Sequence, residues 1–300
     1  MKYFKALLRK TKIFYKNLLF IFNKDLSHEF INVDNIHYYL DNLKFELPSE
    51  YNKLIKPKII SPLETIEKII QDKVSISRFG DGEFELLFNR SIPFQKDDRE
   101  LSKRLQEILI SNYDNILIGI PYIFWYEVGN CNLRVKNFIR REISRVRKEY
   151  ENALLLDKTY YATEFTQLYM TYSDDVDMSS YFDHIRRVWD QRDITIIQGE
   201  GILDKLQFDV FDNAASVLRV LAPSSNAFSE YQGIFDKAKL TDKNRLVLII
   251  LGPTATVLAF DLAKLGYQAL DIGHTAKDYD YYMKNLPKSE RNLSDFFLPD

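Results

Sequence analysis

Cysteine occurs once, at Cys131, in a chain of 300 residues. A lone thiol cannot close an internal disulfide or build a cysteine-based zinc site, and it fits a reducing compartment. Neither sign of charge dominates. The formal net charge is −2, which leaves no overall electrostatic footprint for nucleic acid. The apolar run over 18–22 is far too short to span a bilayer, and no small-residue cleavage site follows it, so no signal peptide is expected. Several catalytic signatures are absent as well. There is no G-x-S-x-G, no setting for a nucleophilic cysteine, no G-x-G-x-x-G and no P-loop lysine. Internal repeats and low-complexity tracts are missing too.

The chain is 46% hydrophobic and 28% charged, the composition of a folded protein with a sizeable core. Residues 1–24 stand apart. They carry Lys2, Lys5, Arg9, Lys10, Lys12, Lys16 and Lys24 and no acid, while Phe4, Leu7, Leu8, Phe14, Tyr15, Leu18, Leu19 and Phe22 recur at helical spacing. This pattern predicts a basic amphipathic helix. Its apolar face suits peripheral contact with the inner, cytoplasmic face of a membrane, or docking on the chain's own core or a partner subunit. Residues 25–60 read as a linker with short helices, 61–285 as the main domain and 286–300 as a tail. Beyond residue 60, strands and helices alternate, and Gly80, Gly199, Gly201, Gly252 and Gly273 sit at expected strand ends. This predicts an α/β domain with a mostly parallel, doubly wound sheet flanked by helices and preceded by an N-terminal helical extension. Ligands in such sheets bind beyond the carboxyl ends of the strands.

The organising stretch is Ser77-Arg78-Phe79-Gly80-Asp81-Gly82-Glu83-Phe84. It follows a β-branched run that reads as a buried strand. Residues two apart on extended backbone point the same way, so Asp81 and Glu83 are expected to converge, with Gly82 admitting close approach. Paired carboxylates suit Mg²⁺ or Mn²⁺ shared with a substrate phosphate. Arg78 is a fork donor for phosphate or carboxylate. The plainer alternative is a solvated Asp-Gly turn. Gly252, Pro253 and Thr254 open a helix whose N-terminus suits phosphate. Gly199-Glu200-Gly201 suits a ribose or base, a pattern shared with methyltransferases. His274, three residues after Asp271 at another strand end, is a candidate to complete a metal or phosphate site. Glu164, Glu200 and Asp271 are candidate acceptor bases.

These segments, together with Asn226-Ala227-Phe228 and the run from Gly252 through Gly266-Tyr267 to Gly273-His274, resemble the GT-D type glycosyltransferases, a family first described as a domain of unknown function. The likeness covers roughly residues 60–285. It implies a Rossmann-like fold, a D-x-E metal motif matched by Asp81 and Glu83, and a UDP-hexose donor with a glycan or glycoconjugate acceptor. It places Arg78, Phe79, Gly80 and Asn226 with the nucleotide sugar and matches His274 to the histidine that ends the C-terminal motif. It implies Mn²⁺ or Mg²⁺ as cofactor and is compatible with a homo-oligomer. The chain departs from the pattern after Gly201, where an Arg-rich, Gly-rich loop is missing. The alternatives are another Rossmann-type nucleotide-dependent transferase, such as a methyltransferase, and a non-catalytic assembly protein on the same fold.

Overall fold

The structure is a computed structural model and describes residues 56–126 and 129–297. The expected helix over 1–24 lies outside the described residues, as does the expected linker up to residue 55.

The chain runs β1 (Lys58–Ile60), α1 (Pro62–Asp72), β2 (Ser75–Arg78), α2 (Asp81–Leu87), α3 (Arg99–Leu109) and β3 (Ile116–Ile120). Next come α4 (Leu133–Phe138), α5 (Ser144–Ala153), β4 (Thr159–Ala162), α6 (Leu168–Thr171), α7 (Ser179–Arg186), β5 (Asp193–Gly199) and β6 (Ser216–Ala222). The remainder is α8 (Tyr231–Ala238), β7 (Leu246–Ile250), α9 (Pro253–Lys264), β8 (Ala269–Asp271), α10 (Thr275–Met283) and α11 (Glu290–Phe297). The eight strands form one sheet in the order β1-β4-β3-β2-β8-β7-β5-β6. Every pairing is parallel. The domain is wider than expected at both ends. Lys58–Ile60, inside the expected linker, is an edge strand paired to β4. Within the expected tail, Leu293 and Phe296 of α11 are buried in the core.

Local chemistry explains the helix starts. Glu64 accepts the Ser61 N–H at 3.3 Å and its hydroxyl at 2.5 Å, with Pro62 first in the helix, so orphan donors are satisfied before α1 begins. Asp98 accepts the N–H groups of Glu100 and Leu101 at 2.8 and 3.0 Å to start α3.

The central strands are apolar on both sides, as buried parallel strands must be. In β7, Leu246, Leu248 and Ile250 pack with Ile66 of α1, Tyr181 of α7 and Tyr279 of α10. The alternating residues Val247 and Ile249 pack on the opposite face with Ile234 of α8 and Leu258 and Leu262 of α9. Helix α9 is covered on nearly all sides and is buried from Pro253 to Phe260. Asp261 on its far side takes Arg104 of α3 at 2.6 Å and the Tyr231 hydroxyl of α8 at 2.5 Å, which fixes the neighbouring helices to it. Among the described residues, no helix is long and apolar enough to cross a membrane.

Leu248 is wholly inaccessible at the centre of β7. Leu248→Ala is expected to cost about 2–5 kcal/mol through lost burial and a residual cavity. Urea unfolding followed by circular dichroism checks this as a lower midpoint at unchanged slope.

Candidate active site

Beyond β2 the chain passes to α2 and α3 on the α9 side of the sheet; beyond β8 it passes to α10 on the other side. The two strands are neighbours, so their carboxyl ends part to form the crevice where open α/β sheets bind ligands.

Arg78 and Asp271 meet in that crevice. Arg78 Nε donates to Asp271 Oδ1 at 3.3 Å, and Nη1 donates to Thr166 Oγ1 at 2.6 Å and to the Thr163 carbonyl at 3.3 Å. Asp271 Oδ1 also accepts the Gly273 N–H at 3.1 Å. Gly273 has φ +42, and a β-carbon there would run into Nη2 of Arg78, so glycine is what lets the guanidinium lie across this turn. The backbone of β2 is latched to α9 in both directions. Ser77 Oγ donates to the Thr256 carbonyl at 2.7 Å, and Thr256 Oγ1 donates to the Arg78 carbonyl at 2.8 Å.

The Asp81–Glu83 pair is arranged differently from the expectation. Helix α2 begins at Asp81 itself, so the two acids stand at its first and third positions, not on extended backbone. Their side chains therefore diverge around the helix. Glu83 turns back over the helix start, where its Oε2 accepts the Gly80 N–H at 2.6 Å. Asp81 is reached by water although protein surrounds its carboxyl on most sides, and that desolvation raises its pKa. Among the described residues, no group of three or more His, Cys, Asp and Glu side chains is arranged to hold a metal ion. His274 thus does not join Asp81 and Glu83. It precedes α10 and packs on Phe296, with ring centroids 5.3 Å apart. Burial, with the cations Arg78 and Lys277 nearby, lowers its pKa to about 3. A cation at this turn would rest on one carboxylate at a time and take the rest of its shell from phosphate and water.

The other expected residues divide. Phe79 is wholly buried and packs on Phe84, a core residue with no face for a ligand. At Gly199 a β-carbon would stand 2.8 Å from Ser224 Cα, so the protein's own backbone is what makes the close approach there. Gly201 turns at φ +80 in the open, and Glu200 is exposed beside it. Gly252 has φ +51 and leads into α9, where Pro253 and Thr254 are buried. Thr254 Oγ1 has no hydrogen-bond partner among the described residues, a state that costs about 1–3 kcal/mol for a buried hydroxyl. Of the candidate bases, Glu164 is buried and accepts the N–H groups of Tyr122 and Ile123 at 3.0 and 3.1 Å, while Asp271 is held by Arg78. Glu200 has no such commitment among the described residues.

One element had no expected role. Residues 91–97, between α2 and α3, cross the carboxyl end of the sheet. Ile92 lies against Gly82 and the Phe94 ring against Gly252. Asn226, at φ +49, fastens this strap through its own backbone and side chain. The signal for it in the sequence is Ile92-Pro93-Phe94, an apolar patch inside an otherwise polar and charged connection.

Glu83 has its pKa raised to about 7, first by burial and then by Asp271, against the pull of the Gly80 N–H and Arg78. Its ordinary value is 4.5, so folding favours the protonated form. The stability it contributes is full below about 4.5 and is lost as pH rises through about 7. In metal-free buffer, Glu83→Gln is expected to gain stability relative to the parent chain across that window. Denaturant unfolding at a series of pH values measures the difference.

The profile of the glycosyltransferase GT-D fold family matches residues 76–294. A probable glycosyl transferase Gly from Streptococcus gordonii is 31% identical over 225 residues, covering 75% of this chain and 33% of the relative. Glycosyltransferase GlyD from Streptococcus pneumoniae is 30% identical over 232 residues, covering 77% and 28%. The chain thus spans about a third of the length of the curated relatives it matches. Among solved structures, the highly conserved domain of unknown function 1792, described as a distinct glycosyltransferase fold, superposes with a TM-score of 0.74 at 30% identity over 83% of this chain and 92% of that one. A glycosyltransferase of the same domain type from Streptococcus sanguinis gives 0.72 at 30% identity over 77% and 86%. With its sheet order, its crevice between β2 and β8 and these matches, the chain belongs to the GT-D fold glycosyltransferase family.

Proposed function

We propose that this chain transfers a hexose from a UDP-sugar donor to a glycan or glycoconjugate acceptor, with the helix turn that carries Asp81 and Glu83 holding Mn²⁺ or Mg²⁺ on the donor diphosphate. The observation that carries this reading is the crowding of acid at one crevice. Glu83 is desolvated beside Asp271, and Arg78 is the cation that acts on both. A carboxylate held in that position favours gaining either a proton or a metal cation. A divalent cation supplies Lewis-acid neutralisation of charge on the leaving nucleotide when bound.

The chain's own residues have separable tasks in this scheme. Arg78 keeps Nη2 without a hydrogen-bond partner among the described residues, and it offers those N–H groups to a phosphate oxygen. In the first turn of α9, a twelve-residue helix, Pro253 has no N–H and the Ala255 N–H is taken by the Gly252 carbonyl at 2.9 Å, which leaves Thr254, with its unpaired hydroxyl, at the positive helix end. The Arg78–Asp271 bond and the Ser77–Thr256 latch hold these donors at fixed separation, so little reorganisation is needed as charge develops. Glu200 is the uncommitted acid available to take the acceptor hydroxyl's proton. Residues 1–24 supply a contact with an anionic membrane surface.

Asp81→Asn is expected to lower sugar transfer by about 100-fold or more with an unchanged circular dichroism spectrum. A panel of nucleotide sugars assayed with Mn²⁺, with Mg²⁺ and with chelator reads the effect. Undiminished transfer in chelator would overturn the metal assignment, and transfer from no UDP-sugar would overturn the donor class.

A further inference from the structure

The strap over residues 91–97 is built to hold one aromatic ring in place. It closes on itself through paired hydrogen bonds between Ile92 and Gln95, 3.0 and 3.3 Å long. Asn226 then fastens it, its N–H donating to the Phe94 carbonyl at 2.9 Å and its Oδ1 accepting the Lys96 N–H at 2.9 Å. The anchors fall on Phe94 itself and two residues after it. Its ring lies against Gly252, where a β-carbon would stand 3.1 Å from Cε2, while Ile92 at the strap's other end would meet a β-carbon on Gly82 at 3.2 Å. The strap therefore bridges the acidic turn and the glycine turn of α9. Phe94 is only partly buried and has no aromatic partner among the described residues, in contrast to the stacked pair Phe84–Tyr150 of the core, whose centroids are 4.3 Å apart.

A nucleoside diphosphate is apolar at its base and anionic at its phosphates. The first turn of α9 matches the phosphates, and a pre-positioned, partly open ring directly against Gly252 matches the base. We propose that Phe94 is the stacking platform for the donor's nucleobase, making the strap a positioning and specificity element of the donor site. This rests on the nucleotide-sugar reading given above. Stacking acts on the base alone, so removing the ring weakens ligands that carry a base and spares those that do not.

The test uses the full chain with Mn²⁺, titrated calorimetrically with UDP and with pyrophosphate. Phe94→Ala is expected to raise the Kd for UDP about 10- to 100-fold and to leave that for pyrophosphate within about twofold. In transfer assays the loss falls on KM for the donor, not on kcat. Phe94→Trp is expected to retain UDP binding, with indole fluorescence quenched by UDP and not by pyrophosphate. Equal weakening of both ligands in Phe94→Ala would make the ring a prop for the strap and overturn the proposal. A parent chain that binds UDP no better than pyrophosphate would overturn it as well, leaving the transfer reading intact. A parent chain that binds neither would remove both.

Discussion

The bond between Arg78 and Asp271 is the constraint on which the crevice depends. It ties β2 to β8 at the point where the chain leaves one strand for one face of the sheet and the other strand for the opposite face. Both groups are largely withdrawn from water, and a pair in that state is held by the completeness of its hydrogen bonds as much as by its charges. Asp271 accepts from Arg78 and from the Gly273 backbone, and Arg78 reaches Thr163 and Thr166 beyond β4. One side chain thereby registers the ends of three strands. The same pair bears on the electrostatics next door: burial is the first cause of the raised Glu83 pKa, Asp271 adds to it and Arg78 opposes it.

The glycines around the crevice serve packing of the protein on itself. Gly273 admits the Arg78 guanidinium, Gly252 admits the Phe94 ring, Gly82 admits Ile92 and Gly199 admits the Ser224 backbone. In each case the missing β-carbon lets a neighbouring element close over a strand end. A ligand at this edge meets a surface already shaped by those contacts.

Much of this was legible in the residues. Apolar, β-branched-rich runs ending in glycine mark β2, β5 and β7. The strand Thr159–Ala162 was obscured, since Thr159, Tyr160 and Tyr161 carry polar atoms that only the fold buries. The acid pair was found but its geometry was not. Asp81 and Glu83 read as neighbours on extended backbone, whereas the helix already begins at Asp81 and Glu83 bonds back to Gly80 as its cap. Asp271 read as a candidate base because a pairing with Arg78, 193 residues away in the chain, has no local signature. The fastening of the strap has no local signature for the same reason: Asn226, which holds it, lies 130 residues from Lys96 in the chain.

The strand order carries a consequence for biosynthesis. Ala269–Asp271 is the last strand to be made, yet it lies at the middle of the sheet between β2 and β7. Until it leaves the ribosome, the first four strands and the next three are separate half-sheets, each ending in an open apolar margin. A chain terminated before residue 269 lacks the strand that joins them, so premature termination yields one chain with two sticky half-sheets and not a smaller domain.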